Sequence, residues 1–310
     1  MRKSVSIILT IAIALGLFSC NSAFQPSLKL EKGKVYSVEM RSEQKISQTI
    51  QDIQQNIEQT NNLKYDLEVL EALPDKNFLV KLTYTSIYAK QTSPRGTVEY
   101  DSSKPETQVA PAFAGYAALF NHSLEIVFKP NGEVAEVRKM GELIDKMLNQ
   151  MNLPQGPESE QVKKMISDQF GEEAMKEMIG QSSAIYPDKP IKVGESWTKT
   201  ITLSKGFPMK ITNKWTLKKR KGGISYIDML SSVSQNDTPL EFGVVKIKYN
   251  ISGSMSGQME MQEKSGLATK ATINQKMSGT VTIEPNAQLP QGMSWPISIE
   301  GMTSFNIVER

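Results

Sequence analysis

The stretch 245–261 constrains the fold more than any other part of the chain. Val245, Ile247, Tyr249, Ile251, Met255, Met259 and Met261 share one parity, with Gly253 and Gly257 in its gaps. Lys246, Lys248, Asn250, Ser252, Ser254, Ser256, Gln258 and Glu260 fill the other. Side chains alternate across a strand, so a period of two puts the apolar groups on one face and the polar groups on the opposite one. At roughly 3.3 Å per residue such a strand extends on the order of 55 Å, well beyond the usual length. Glycine has no side chain to pack, so Gly253 and Gly257 mark places where the strand bends or coils. Lys264-Ser265-Gly266 then turns the chain back into Leu267–Ile283. A long, curved antiparallel sheet with one buried face is the expectation.

The same alternation recurs in Tyr36, Val38 and Met40, in Leu63, Tyr65, Leu67 and Val69, and in Phe78, Val80, Leu82 and Tyr84 after the turn at Pro74–Asn77. Ser123–Phe128 and Val134–Val137 flank Pro130-Asn131-Gly132 and read as a hairpin, because Asn-Gly adopts positive φ angles readily. Helical spacing takes over between the strand-rich ends. Ala112–Phe120 places Phe113, Tyr116, Ala117 and Phe120 on one face. Met140, Leu143, Ile144, Met147, Leu148 and Met151 follow the 3.6 period until Pro154, and Val162, Met165, Ile166 and Phe170 repeat it as far as Gly171. Met175, Met178 and Ile179 continue it to Gly180. Ile46, Ile50, Ile53 and Ile57 also have helical spacing, but their polar neighbours suit a long hairpin and both flanks alternate, so strands are favoured. Two blocks open alike, Lys32–Tyr36 and Val193–Trp197, and each runs on to a polar turn, Asp75-Lys76-Asn77 in one and Lys221-Gly222-Gly223 in the other. A duplication and two separate meanders both fit this echo. The expected fold is α+β: a large, half-barrel-like curved antiparallel sheet with two to four helices packed on one face. Residues 28–310 are expected to form a single domain with a helical insert at about 139–180.

The N-terminus carries the clearest address. Arg2 and Lys3 precede an apolar run from Val5 to Phe18, and Ser19-Cys20 follows. A basic start, a short apolar core and a small residue before the cut describe a secretory signal peptide, here residues 1–19. The run is shorter than the roughly 20 apolar residues that a membrane span needs. Cys20 is the only cysteine among 310 residues. Lys and Arg total 36 against 33 Asp and Glu, so without Arg2 and Lys3 the remainder is almost neutral. Nucleic acid is therefore not an expected partner.

These pieces resemble an uncharacterised family of bacterial envelope lipoproteins. Ser19-Cys20 is similar to a lipobox, which implies that the Cys20 thiol takes a diacylglycerol and becomes the new N-terminus, with residues 20–27 as a tether. Asn21, in place of the aspartate of inner-membrane retention, implies the outer membrane. The Phe128–Val134 hairpin, Pro190–Trp197 and the Gly253–Gly279 hairpin carry the rest of the resemblance. In architecture alone the pattern also looks like the half-barrel of periplasmic lipoprotein carriers and outer-membrane receptor lipoproteins, where a curved sheet holds acyl chains.

His122 is the only histidine, so histidine-based triads and His-rich metal sites are not expected. Asn121-His122-Ser123 reads as a turn at the start of a strand. Glu158, Glu160, Glu172 and Glu173 stand at helix starts, where acidic groups complement the dipole. Lys221-Gly222-Gly223 reads as a hairpin turn and not as a phosphate cradle. No catalysis, no cofactor and no metal is the expectation. The 16 methionines are the compositional oddity. Met140, Leu143, Met147, Met151, Met165, Ile251, Met255, Met259 and Met261 would line an apolar ligand groove if the helical insert crosses the long strand. The same residues could fill an ordinary core, and thioethers alone could hold copper(I), although no Cys or His reinforces such a site. Trp197, Trp215 and Trp295 suit core positions, or a sugar-stacking platform if exposed.

The expected function is that of a non-catalytic, membrane-anchored envelope lipoprotein binding a lipid, an acyl chain or a partner protein. The alternative is a structural or assembly subunit of an envelope complex, docking through sheet edges and the Gln/Asn-rich stretch 47–62. An enzyme using carboxylates alone is the third, weaker reading.

Overall fold

The computed structural model describes residues 22–104, 109–150, 156, 160, 162–164, 166–167, 171–204, 208–235, 239–242, 245–287 and 289–310. The strands are β1 (Val35–Ile50), β2 (Ile53–Ala72), β3 (Phe78–Ser93), β4 (Gly96–Asp101), β5 (Ser123–Phe128), β6 (Val134–Arg138) and β7 (Ser196–Leu203). They continue with β8 (Met209–Lys221), β9 (Ile224–Gln235), β10 (Leu240–Phe242), β11 (Val245–Gln262), β12 (Ala268–Ile283) and β13 (Met293–Glu309). They form one 13-stranded sheet in the order β6-β5-β3-β2-β1-β13-β12-β11-β9-β8-β7, with β4 beside β3 and β10 beside β11. The order ends at β6 and β7, so the sheet does not close. Among the described residues three helices have defined bounds, α1 (Ala114–Leu119), α2 (Met140–Gln150) and α3 (Glu172–Ser183), the first entered by a 3-10 turn at Pro111–Phe113. Helix α3 packs on β6 and touches β7, which places it over the seam between the two sheet ends.

Tyr186 demonstrates how tightly the sheet curls. Its ring fills the space a Cβ on Gly132, in the β5–β6 turn, would need, at 2.6 Å. Its hydroxyl donates to the Gly266 carbonyl, in the β11–β12 turn, at 2.9 Å. In a flat sheet β5 and β12 would lie about 24 Å apart at ~4.8 Å per strand, so one side chain reaches both only because the sheet bends round it. Glycines permit that bend. A Cβ on Gly253 would sit 2.2 Å from the Lys276 carbonyl oxygen, and one on Gly257 2.4 Å from that of Thr272. At both glycines the β12 backbone lies where a side chain on β11 would have to go.

Register sorts the faces. Val38 pairs with Ile307 and Tyr65, and Met259 pairs with Ala271 and Ile227, so apolar positions line up across neighbouring strands on the inner face. The outer face carries Lys, Glu, Ser, Thr and Asn, with cross-strand ion pairs such as Lys81–Glu68 at 2.9 Å and Lys276–Glu300 at 2.8 Å. Such exposed pairs contribute little stability each; their main effect is a well-solvated outer surface.

The ambiguous isoleucines resolve as strands. Ile50 pairs with Ile53 and Ile46 with Ile57 across a two-residue turn, Gln51-Asp52, in which both residues have positive φ. Their helical spacing is the signature of a tight hairpin whose same-face partners are all isoleucine. In the β5–β6 hairpin only Gly132 takes a positive φ, and Asn131 instead accepts the Glu133 N–H through its side chain. The two similar blocks share a hydrogen-bond pattern. Gly33 N–H donates to Val69 O and Val69 N–H to Lys34 O; Gly194 N–H donates to Leu217 O and Leu217 N–H to Glu195 O. Each second strand then shifts register one step further on, at Val69/Glu71 and at Leu217/Lys219.

Residues 22–27, expected as a tether, lie against the domain. Phe24 pairs with Ile191, and the Arg220 guanidinium stands 4.4 Å from the centre of the Phe24 ring. Arg220 is itself held by Glu263 through two bonds of 2.8 Å.

Candidate functional site

The inner face of β1, β2, β3 and β13 is not fully packed. It borders a partly open apolar cavity of about 250 Å³. Tyr36, Val38 and Met40 of β1, Tyr65, Leu67 and Val69 of β2, Val80 and Leu82 of β3, and Phe305 and Ile307 of β13 form its wall. The alternation of each strand delivers these side chains, because every second residue faces inward. The cover comes from elsewhere in the chain: Leu28 and Leu30 from the N-terminal segment, Ile179, Ser182 and Ser183 from α3, and Ile185 and Tyr186 behind it. None of the lining side chains is charged.

The cover is pinned by buried polar bonds. Trp197 Nε1 donates to the Ile185 carbonyl at 2.8 Å, and the Tyr186 hydroxyl holds the Gly266 carbonyl. Burial drives the Tyr186 phenol far above its ordinary range, so it stays a neutral donor. Gly266 has φ +75° and no room for a Cβ, since Ser27 O would lie 1.9 Å away. The Ser182 and Ser183 hydroxyls both return to the Ile179 carbonyl, at 2.8 and 3.1 Å, which leaves the α3 side of the cavity effectively apolar. Towards the β1–β2 turn the inner face continues as half-buried Ile46, Ile57, Met277, Ile297 and Ile299, ending at Trp295, whose Nε1 donates to Gln48 at 3.1 Å.

A family model described as a family of unknown function (DUF6263) matches residues 75–268. The chain belongs to that family. The DUF6263 match runs from the β2–β3 turn to the first residue of β12, so it takes in the helices, α3 and the Ile185–Tyr186 cover, but leaves out β1 and β13. No curated protein matches the sequence. Among solved structures, a lipovitellin chain from a study of its lipid–protein interactions is similar at 9% identity and a TM-score of 0.48. That likeness covers 90% of this chain but only 25% of the lipovitellin chain, so this protein spans about a quarter of its length. The outer membrane protein OprG of Pseudomonas aeruginosa is similar at 6% identity, a TM-score of 0.25 and coverage of 89% and 95%. OccK7 (OpdD) of the same organism is similar at 8%, 0.24, 90% and 100%.

The residues expected to form one groove fall into separate clusters. Met140 and Leu143 are buried with Ala118, Leu124, Ile126, Val134 and Val137, and Met147 packs at the margin of that group. Met259 and Met261 belong to the main core with Trp215, Leu217 and Ile227. Met255 packs beside Leu203, Ile211 and Val233, and Ile251 lies near Met209 and Tyr249. The physical reason is the route of the insert: α2 packs on α1 over the β5–β6 side, many strands from β11. Met151, Met165 and Cys20 lie outside the described residues. Trp197 and Trp215 stack at 5.9 Å within the core, whereas Trp295 remains half-buried. His122 is partly exposed, its Nε2 3.4 Å from the Lys139 carbonyl.

Alternation had already singled out the β1, β2 and β3 walls of the cavity. Phe305, Ile307 and the Ile185–Tyr186 cover carried no signal of comparable strength. Among the described residues no cluster of His, Cys, Asp or Glu could hold a metal, and no helix is long and apolar enough to cross a membrane.

Proposed function

We propose that the protein is a non-catalytic, lipid-anchored envelope lipoprotein that binds the acyl portion of a lipid in the cavity between β1, β2, β3, β13 and α3. The observation that carries this reading is the apolar space itself, partly roofed by chain segments that do not belong to the sheet. Roughly eight groups the size of water, at about 30 Å³ each, would fill it. Each methylene transferred from water into it gains about 0.8 kcal/mol, so a short length of acyl chain suffices for measurable binding.

Two further features support the reading. The inner face is apolar and the outer face polar, the reverse of a porin, whose lipid-facing band is apolar and whose lumen is wet. The segment leading from Cys20 joins the domain at Ser22, whose carbonyl accepts from Arg220 at 3.2 Å, and continues to Leu28 and Leu30 in the cavity cover. A lipid anchor on Cys20 would thus hold the covered side of the cavity near a membrane surface, and an outer-membrane location fits Asn21.

Lipid extraction tests the proposal. The full chain carrying Cys20→Ser, expressed in its envelope and purified without detergent exchange, is expected to release close to one equivalent of acyl lipid on denaturation. A protein that yields none, and takes up none from vesicles, contradicts it. Labelled palmitate should enter the wild-type chain and not the Cys20→Ser variant.

A further inference from the structure

Three tyrosines gather at the α1 side of the cavity. Tyr65 lines it, and Tyr84 packs against Tyr65 with ring centroids 5.4 Å apart. Tyr116 of α1 stands near enough that its charge would raise the Tyr84 phenol. All three rings are half-buried, and none of the three hydroxyls forms a hydrogen bond with a described residue. These hydroxyls still border accessible space, and Tyr65, which lines the cavity, therefore has a donor open to whatever enters it. The fully buried Tyr186, by contrast, has its hydroxyl satisfied by Gly266 O. Burial holds these phenols neutral, with Tyr84 pushed up to about 12 and Tyr65 driven higher still, so each remains an O–H donor at physiological pH.

We propose that the cavity ligand is an uncharged acyl compound whose carbonyl oxygen accepts a hydrogen bond from Tyr65, with Tyr84 beside it, while its chain lies along Val38, Leu67 and Ile307. This rests on the lipid-binding reading above and narrows it. A purely hydrocarbon ligand would leave the Tyr65 phenol without an acceptor. A free carboxylate would enter a space with no counter-charge, and burying an unpaired charge is prohibitive. Lys146 of α2 does not line the cavity, and its ammonium donates to the Phe120 carbonyl at 3.0 Å. The matching chemistry is a neutral acyl carbonyl, either the ester of a glycerolipid or the amide of an acylated protein terminus.

Equilibrium dialysis of the full chain carrying Cys20→Ser against methyl decanoate, N-methyldecanamide, decane and decanoate at pH 8 tests the assignment. One hydrogen bond in a largely apolar site should favour the better carbonyl probe over decane by about three- to tenfold. A lead for the ester points to a glycerolipid, and a lead for the amide to an acylated terminus. Tyr65→Phe should erase the preference for a carbonyl probe over decane, and Tyr84→Phe should reduce it, each with a melting temperature close to that of the parent chain. Equal binding of carbonyl probes and decane overturns the proposal. So does a preference that survives in both variants, or decanoate binding as tightly as its methyl ester. If none of the four probes binds, the cavity reading itself fails and this proposal with it.

Discussion

Ala268 opens β12, and its methyl group forms part of the cavity wall. Ala268→Leu would push three further carbon atoms into the space between Ile307 and Tyr186. A partly open cavity of about 250 Å³ leaves apolar wall without packing partners. Three buried carbons recover at most about 2.4 kcal/mol at ~0.8 each, and rotamer entropy takes back ~0.5–1. The ligand-free variant should therefore be more stable by about 1–2 kcal/mol, a rise in melting temperature of about 2–4 °C for a domain of this size. The added side chain should also displace roughly a third of the ligand's room and weaken uptake of an acyl probe at least tenfold. Urea titration of delipidated protein gives the first quantity, and dialysis against methyl decanoate the second. A variant that is destabilised and still binds normally would refute the reasoning, because the space would then be neither accessible from β12 nor the site of uptake.

Three other outcomes follow from particular contacts. Glu263 accepts from Arg220 and from Ser225, and the Arg220 bond holds its carboxyl below the ordinary range. A depressed folded-state pKa stabilises above the unfolded value and is lost as pH falls through the folded one. Glu263→Gln should thus cost about 1–2 kcal/mol at pH 7, and the gap from wild type in urea titrations should shrink as pH drops below about 4.3. Gly253→Ala would drive a Cβ to 2.2 Å from the Lys276 carbonyl, so β11 and β12 must part locally, at a cost of about 1–3 kcal/mol in thermal melts. Tyr186→Phe leaves the Gly266 carbonyl without its buried donor; about 1–3 kcal/mol should be lost, with faster hydrogen exchange at residues 184–191 and 264–267.

Much of this architecture could be read from residue order. The parity of 245–261 foretold a long strand, and the structure has an 18-residue β11 there, with β12 crowding against Gly253 and Gly257. The isoleucines at 46, 50, 53 and 57 shared helical spacing and hairpin symmetry, and only pairing across Gln51-Asp52 separates the two. The expected meeting of the Met140 helix with β11 did not occur, because periodicity reveals which face of an element is buried and not which partner buries it. Helix α3, with its fewer apolar positions, covers the cavity, while α2 packs on α1. The cover residues Ile185 and Tyr186 lie in an irregular stretch, and they are held by Trp197 and by Gly266, the latter 80 residues from Tyr186. Tyr65 and Tyr84 stood out only as members of alternating strands. Their missing hydrogen-bond partners are a property of three-dimensional surroundings.

The central claim is that an acyl chain occupies the space between β1, β2, β13 and α3. A crystal of the full chain carrying Cys20→Ser, soaked with methyl 10-bromodecanoate and measured at the bromine edge, tests it most directly. The account predicts one anomalous peak within contact distance of Val38, Leu67 and Ile307, with the ester carbonyl towards Tyr65. Bromine bound on the outer face, or a cavity closed by repacked side chains with no peak inside, would contradict it.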